Sequence, residues 1–230
     1  MSIRHSAKFY PHRSNIRLTE AAISPITLKE LRTHVRIPVG ELEEDQYLTN
    51  LINMAVRWLE DFANLSLIRK TYRTSFDSWP GDGDNYYSRR LDQSSDYYYG
   101  DQDEIRDSDI ILPVYPLVSV EALRVFNEDD LATSISVSDV FDVDTLKTPG
   151  RLTLKRGLVY PDLGRANKAV EIDYTAGYST TAVDIPPTLK RAILEMAGFM
   201  WMNRGDCSME ESFSKSGAQN LIRMYRVRRI

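Results

Sequence analysis

The spacing of apolar positions along this chain changes period twice, and the changes divide it into segments. In residues 25–37, Leu28, Leu31 and Val35 fall on one side of a helical repeat. Thr27 stands three residues before Glu30, the pairing of a capping box, and Ile26 and Leu31 are placed to staple that helix start. Pro38 disfavours helical backbone in the residue before it, so the pattern predicts a helix over 26–37. A longer helix is predicted over 43–64, where Leu48, Leu51, Ile52, Ala55, Trp58, Leu59 and Phe62 recur at steps of three and four. Glu41, Glu43, Glu44 and Asp45 crowd its start, where the helix dipole favours negative charge. From Leu67 the period becomes two. Tyr72, Thr74 and Phe76 alternate with Thr71, Arg73, Ser75 and Asp77 up to Trp79-Pro80, as in a strand with one face toward a core. Further strands are predicted at 110–112, 118–126, 140–143, 151–154 and 169–174. Turn signals at Asn127-Glu128-Asp129-Asp130, Pro149-Gly150 and Gly177 separate them. The helical period returns over 186–203, with Leu189, Ile193, Met196, Ala197 and Met200 on one face, Asp184 or Ile185 as N-cap and prolines in the first turn.

Three stretches carry no clear period. Residues 1–23 form a polar arm with Arg4, Lys8, Arg13 and Arg17, read either as a loosely ordered terminus or as an arm that orders against a neighbouring subunit. Residues 81–109 form a long loop in which Tyr86, Tyr87, Tyr97, Tyr98 and Tyr99 stand among aspartates and serines. It is either a solvated insertion or a contact surface, since tyrosine offers large area at low entropic cost. Residues 205–230 comprise a polar linker and a tail that interleaves basic and apolar residues. The fold class expected is α+β: a small helical core of two N-terminal helices and a C-terminal helix, an antiparallel β-rich region (67–178) inserted between them, and an extended C-terminal tail. On this reading 24–204 is the folded domain.

Composition narrows the function. The chain has 230 residues, 42% of them hydrophobic, enough to bury a core. Its net charge of −4 does not mark a general nucleic-acid binder. The last fifteen residues are nevertheless basic, and 81–109 is acidic. With Cys207 as the sole cysteine, there is neither an intrachain disulfide nor a cysteine zinc cluster. The three histidines stand in no motif, and neither phosphate-loop glycines, a nucleophile elbow nor HExxH is present. No apolar run approaches the roughly 18 residues of a membrane span, and the N-terminus lacks the apolar stretch of a signal peptide. A cation site at Asp101, Asp103 and Glu104 lacks the glycine and terminal glutamate of a calcium loop. No catalytic, cofactor-binding or metal residue is therefore nominated.

The order of motifs is more informative than any one of them. The segments Pro25-Ile26-Thr27-Leu28-Lys29-Glu30-Leu31, Trp58-Leu59-Glu60-Asp61-Phe62-Ala63, Phe76-Asp77-Ser78-Trp79-Pro80 and Ile111-Leu112-Pro113 stand in series. They are followed by Asp173-Tyr174-Thr175-Ala176-Gly177-Tyr178, then Ile185-Pro186-Pro187-Thr188-Leu189, and finally the tail Met224-Tyr225-Arg226-Val227-Arg228-Arg229. In this series the chain resembles the head–tail connector (adaptor) family of long-tailed phages and gene transfer agents, over 24–204 and the tail. The tyrosine-rich loop is longer than that resemblance leads one to expect, and the N-terminal arm has no counterpart in it. It implies a virion structural protein, not an enzyme, made in the bacterial host cytoplasm and placed at the head–tail interface. It further implies a ring of about twelve copies beneath the portal protein, meeting stopper or tail proteins, with double-stranded DNA passing through the lumen without sequence specificity. The tail is implied to dock on the portal through Leu221, Ile222, Arg223, Met224, Tyr225, Arg226, Val227, Arg228, Arg229 and Ile230. The five tyrosines named above are candidate subunit or tail contacts. A stopper or tail-completion ring, a nucleic-acid-binding module and an enzyme with an unrecognised site are the competing readings. The two amphipathic helices favour the adaptor over the β-dominated stopper.

Overall fold

The computed structural model describes residues 13–38, 43–79, 109–205 and 207–226. The chain divides into two compact units, and it passes between them several times. One comprises Thr19–Lys70, Val114–Pro116 and Ala176–Ile230; the other comprises Met1–Leu18, Thr71–Pro113 and Leu117–Thr175.

The first unit is helical. Helix α1 (Leu28–His34) starts as the sequence predicts: the Thr27 side chain accepts from the Glu30 N–H, and the Glu30 carboxylate accepts from the Thr27 N–H. These hydrogen bonds, Thr27's above all, hold the Glu30 carboxyl below the usual range despite some burial. Ile26 and Leu31 are both buried, as a staple requires. The helix ends before the predicted boundary because Arg36 takes a left-handed conformation, φ 59°. Helix α2 (Asp45–Ala63) buries Leu48, Leu51, Ile52, Ala55, Leu59 and Ala63 and stops at Asn64, whose φ of 56° makes it a left-handed C-cap. Its one buried acid is Glu60, with both carboxylate oxygens 2.6 Å from Lys70 Nζ and one accepting the Leu67 N–H. The buried Lys70 countercharge and the Leu67 backbone donor help to compensate the desolvation of that carboxylate. Gly177, in the motif after the sheet, has φ 139°, and a Cβ there would lie 2.7 Å from the Arg69 Cα. Glycine is therefore required at this position twice over, by conformation and by close approach.

The second unit is built of strands. Five of them, β1 (Arg13–Arg17), β2 (Lys70–Phe76), β4 (Leu117–Phe126), β5 (Ala132–Ile135) and β8 (Val170–Ala176), form a sheet in the order β1-β2-β8-β4-β5. The other three, β3 (Asp109–Ile111), β6 (Phe141–Asp144) and β7 (Arg151–Leu154), form a second sheet in the order β3-β7-β6. The ladders β1·β2, β4·β5, β3·β7 and β6·β7 are antiparallel. Alternation places Tyr72, Ile172, Tyr174, Leu123 and Val125 in the interior. Trp79 packs there against Tyr160 and Phe141, at ring separations of 5.0 and 5.9 Å, and its indole N–H donates to the Pro161 carbonyl. The opposite side of the five-stranded sheet carries an ion-pair network. Asp173 accepts from Arg73 Nε at 2.6 Å and from Arg124 at 2.5 Å, and Glu171 lies within 3.7 Å of both guanidiniums. Burial works to raise the Asp173 carboxyl, but the hydrogen bonds and charges of the two arginines outweigh it and hold the group below its ordinary value.

The α+β class and the predicted helices and strands are present, with boundaries shifted by one to three residues at most ends. Four features differ from the sequence reading. Residues 13–17 of the arm are a strand on the chain's own sheet, with Arg13 opposite Phe76 and Arg17 opposite Tyr72. The backbone ladder holds β1 while Ile16 stays half exposed, so no burial pattern marks it. Strand β5, exposed over most of its length, and the one-turn helix α3 (Val137–Val140) were likewise silent in the pattern. Helix α4 (Pro187–Met202) has Pro186 as its N-cap, later than either predicted residue. Finally, the linker and tail contain helices α5 (Met209–Lys215) and α6 (Ala218–Ile222), followed by a 3-10 turn (Arg223–Tyr225), where extended chain was expected.

Candidate docking surface at the C-terminal end

Local signals build the C-terminal end residue by residue. Ser208 and Glu211 form a second capping box, with the Ser208 hydroxyl accepting from the Glu211 N–H at 3.1 Å. This starts α5 and turns Phe213 inward, to 4.6 Å from the Phe62 ring and 6.2 Å from the Trp58 ring on α2. Gly217, at φ 83°, reverses the chain before α6. Ala218 and Ile222 then bury completely in the helical core, and Leu221 and Tyr225 pack partly against it. The Tyr178 phenol, in the same core, is pushed up to about 12 by burial and then by the neighbouring Tyr225.

The docking residues nominated from sequence therefore separate into two sets. Ile222 is fully buried within its own chain, which corrects its assignment to a free tail; Leu221 and Tyr225 are half-buried beside it. The spacing 218, 222 and 225 lays one face of a short helix on α4 and α5, and that burial competes with any external role. Arg223, Met224 and Arg226 point outward instead, Met224 with 75% of its surface exposed. The Arg226 guanidinium sits 4.5 Å from the centre of the Phe62 ring, a cation–π contact that holds the last described residue against α2. Val227, Arg228, Arg229 and Ile230 lie outside the described residues, as do Tyr86, Tyr87, Tyr97, Tyr98 and Tyr99.

A second polar feature was not nominated from sequence. The Arg204 guanidinium stacks 3.8 Å over Trp201 and 4.7 Å from the Tyr47 ring centre, and it pairs with Glu44 at 3.1 Å. Trp201 is three residues away, but Glu44 and Tyr47 come from a distant segment of sequence, so local spacing does not announce the full set. Among the described residues, no group of three or more histidine, cysteine or acidic side chains is arranged to hold a metal ion. No helix is long and apolar enough to cross a membrane, again among the described residues.

Comparison with known proteins supplies the context. Residues 25–100 match the family described as phage gp6-like head–tail connector proteins. Among solved structures, a chain in the neck of an empty gene transfer agent particle, computed with C6 symmetry, superposes with a TM-score of 0.70 at 21% identity, covering 94% of this chain and 97% of that one. A chain from the virion of a native gene transfer agent particle gives 0.67 at 21% identity, covering 94% and 96%. A chain in the neck of the native particle, computed with C12 symmetry, gives 0.65 at 20% identity, covering 94% and 97%. No curated protein matches the sequence significantly. Residues 25–100 are thus similar to the gp6-like head–tail connectors, and over nearly its whole length the chain shares the fold of a chain found in a gene transfer agent neck.

Proposed function

We propose that this chain is a structural subunit of a virion neck: the adaptor that forms a ring beneath the portal and joins the capsid to the tail. The observation that carries the reading is the coincidence of the connector match at 25–100 with a fold shared along 94% of the chain with neck proteins. The C6 and C12 symmetries of those necks support a ring of about twelve copies here. A ring subunit of this kind needs two different surfaces that complement each other and an anchor to its neighbour layer, not a reacting site. The portal anchor in this reading is Arg223, Met224 and Arg226 together with residues 227–230. Their basic and apolar side chains suit an acidic surface with shallow pockets. Double-stranded DNA would pass through the lumen without sequence readout, and stopper or tail proteins would meet the opposite side.

The test is binding of the full chain to the purified portal protein of the same particle, followed by electron microscopy. An added ring of density beneath the portal is the expected result. Truncation after Arg226 is expected to abolish binding while leaving the far-ultraviolet spectrum and melting curve unchanged. Cutting at residue 218 is not an equivalent experiment, because it removes Ala218 and Ile222 from the core. A particle map with another polypeptide in the layer beneath the portal would overturn the assignment.

A further inference from the structure

The five-stranded sheet ends in an edge with nothing paired to it among the described residues. The register of β4 and β5 sets Val125 opposite Thr133 and Leu123 opposite Ile135. The Asn127 N–H donates to the Leu131 carbonyl, whereas the Phe126 N–H points the other way, to Ala169. In an antiparallel ladder these directions alternate, so Thr133 and Ile135 bond inward to β4 while the N–H and C=O groups of Ala132 and Ser134 face outward. Residues 131–134 are exposed, and β5 contains no lysine, proline or other charged residue to guard the edge.

The sequence on either side of β5 is one-sided in charge. Residues 127–146 contain Glu128, Asp129, Asp130, Asp139, Asp142 and Asp144 and no lysine, arginine or histidine. Three of these lie in the turn that leads into β5 and three follow it. Lys155, Arg151 and Arg165 compensate Asp142, Asp144 and Asp130 at only 3.5–3.9 Å. Two such edges brought together would set carboxylates against carboxylates, which disfavours pairing β5 with a second β5. The complementary segment is in the same chain. Residues 1–19 carry Arg4, His5, Lys8, His12, Arg13 and Arg17 and no acid. Their described end, β1, is the strand at the opposite edge of the sheet, four interstrand spacings or about 19 Å away.

We infer that the β5 edge is the acceptor for the basic N-terminal arm, residues 1–12, of an adjacent copy, which adds to the sheet as an extra strand. Main-chain hydrogen bonds to Ala132 and Ser134 supply the pairing, and the arm's cations meet the acidic flanks. Donor and acceptor lie at opposite edges of one sheet, so the contact is head-to-tail, the kind that generates a ring when the rotation closes. The inference rests on the ring reading and specifies one interface within it.

The experiment traps the contact in full-length protein carrying Cys207→Ser. One preparation bears Ser134→Cys; the other bears a single cysteine placed in turn at Ile3, His5, Ala7 and Phe9, and a size tag. Mild oxidation of the mixture is expected to give a disulfide between tagged and untagged chains for at least one placement. Ser134→Pro removes an outward N–H and no ladder bond, and it should weaken assembly about tenfold or more, as should Asp129→Lys with Asp130→Lys. Sedimentation velocity reads the assembly state. Assemblies that form normally with Ser134→Pro and yield no mixed disulfide would overturn the inference and leave the ring standing. In a third preparation that carries Ser134→Cys and the arm cysteine in one chain, a disulfide that forms only within that chain would overturn the adjacent copy as donor. A chain that stays monomeric at all concentrations, alone and with portal, would overturn the ring reading and this interface with it.

Discussion

Ile222→Ala separates the two roles that the C-terminal end can play. The side chain is fully buried in the helical core, in company with Phe213 and Ala218. Truncating a buried isoleucine to alanine removes its transfer free energy and leaves a cavity, a combined cost of about 2–5 kcal/mol. Helix α6 is short and near the chain end, and a site of this kind relaxes more than one in the middle of α2. The expected value is therefore in the lower half of that range, about 2–3 kcal/mol. Urea unfolding followed by tryptophan fluorescence measures it, because Trp58 lies beside Phe213 and reports on this unit. The midpoint should fall with little change in slope. Met224→Ala is the paired control: the side chain is 75% exposed, so its effect on stability should stay within about 0.5 kcal/mol. Portal binding should respond in the opposite way, weakened by Met224→Ala and by Ile222→Ala only as far as the fold is lost. If Ile222→Ala left the unfolding curve in place and abolished portal binding, the side chain would be a docking residue and the core assignment of α6 would fail.

Three further outcomes follow from the packing. Gly177→Ala is expected to cost at least about 2 kcal/mol, since φ 139° is closed to alanine and the new Cβ meets the Arg69 backbone; equal melting temperatures would contradict this. Lys70→Met should cost about 3–5 kcal/mol by stranding the Glu60 carboxylate, and Glu60→Leu added to it should recover part of the loss, which a double-mutant cycle measures. Asp173 sets an acid limb on stability. Its carboxyl is held below the ordinary value in the folded chain, so its contribution is complete above the unfolded pKa of about 4 and is lost as pH falls through the lower folded one. Asp173→Asn should flatten that limb in denaturation curves between about pH 5 and pH 2, and an unchanged slope would count against the network.

Legibility in the sequence follows how much each element buries. Helices α1, α2 and α4 and the central strands β2, β4 and β8 each present a repeating apolar face, and the capping box read at Thr27 and Glu30 is the one that α1 uses. Strands β1 and β5 are edges that bury little, so their stability comes from ladder bonds that leave no trace in hydrophobic spacing. The α5 start was visible in Ser208-Met209-Glu210-Glu211, the same signature as at Thr27, but only one large apolar residue of that helix, Phe213, is fully buried behind it. The face of α6 was hidden by arginines interleaved with Leu221, Ile222, Met224 and Tyr225. Counted from Ala218, the steps of three and four are there. Arg204 stacks on Trp201, three residues before it, but its contacts with Tyr47 and Glu44 join residues far apart in sequence, and nothing in the local spacing points to them.

The anchoring of the C-terminal end bears on how a neck subunit could hold a partner. Binding by a free tail carries the entropic cost of ordering each residue, about 1–2 kcal/mol apiece. Here that cost is already met through Tyr225 by folding, since α5, α6 and the 3-10 turn are fixed by Phe213, Ala218 and Ile222. Arg226 on the Phe62 ring extends the fixed region by one more residue. An anchor fixed this far along would spend less on ordering during docking than a tail that is free from residue 205 onward. Phe62→Leu tests the coupling. It keeps most of the volume against Phe213 but removes the ring beneath Arg226, and it should weaken portal binding more than it lowers stability. Equal proportional losses in the two measurements would mean that the ring serves the core alone and that Arg226 is not held in place for a partner.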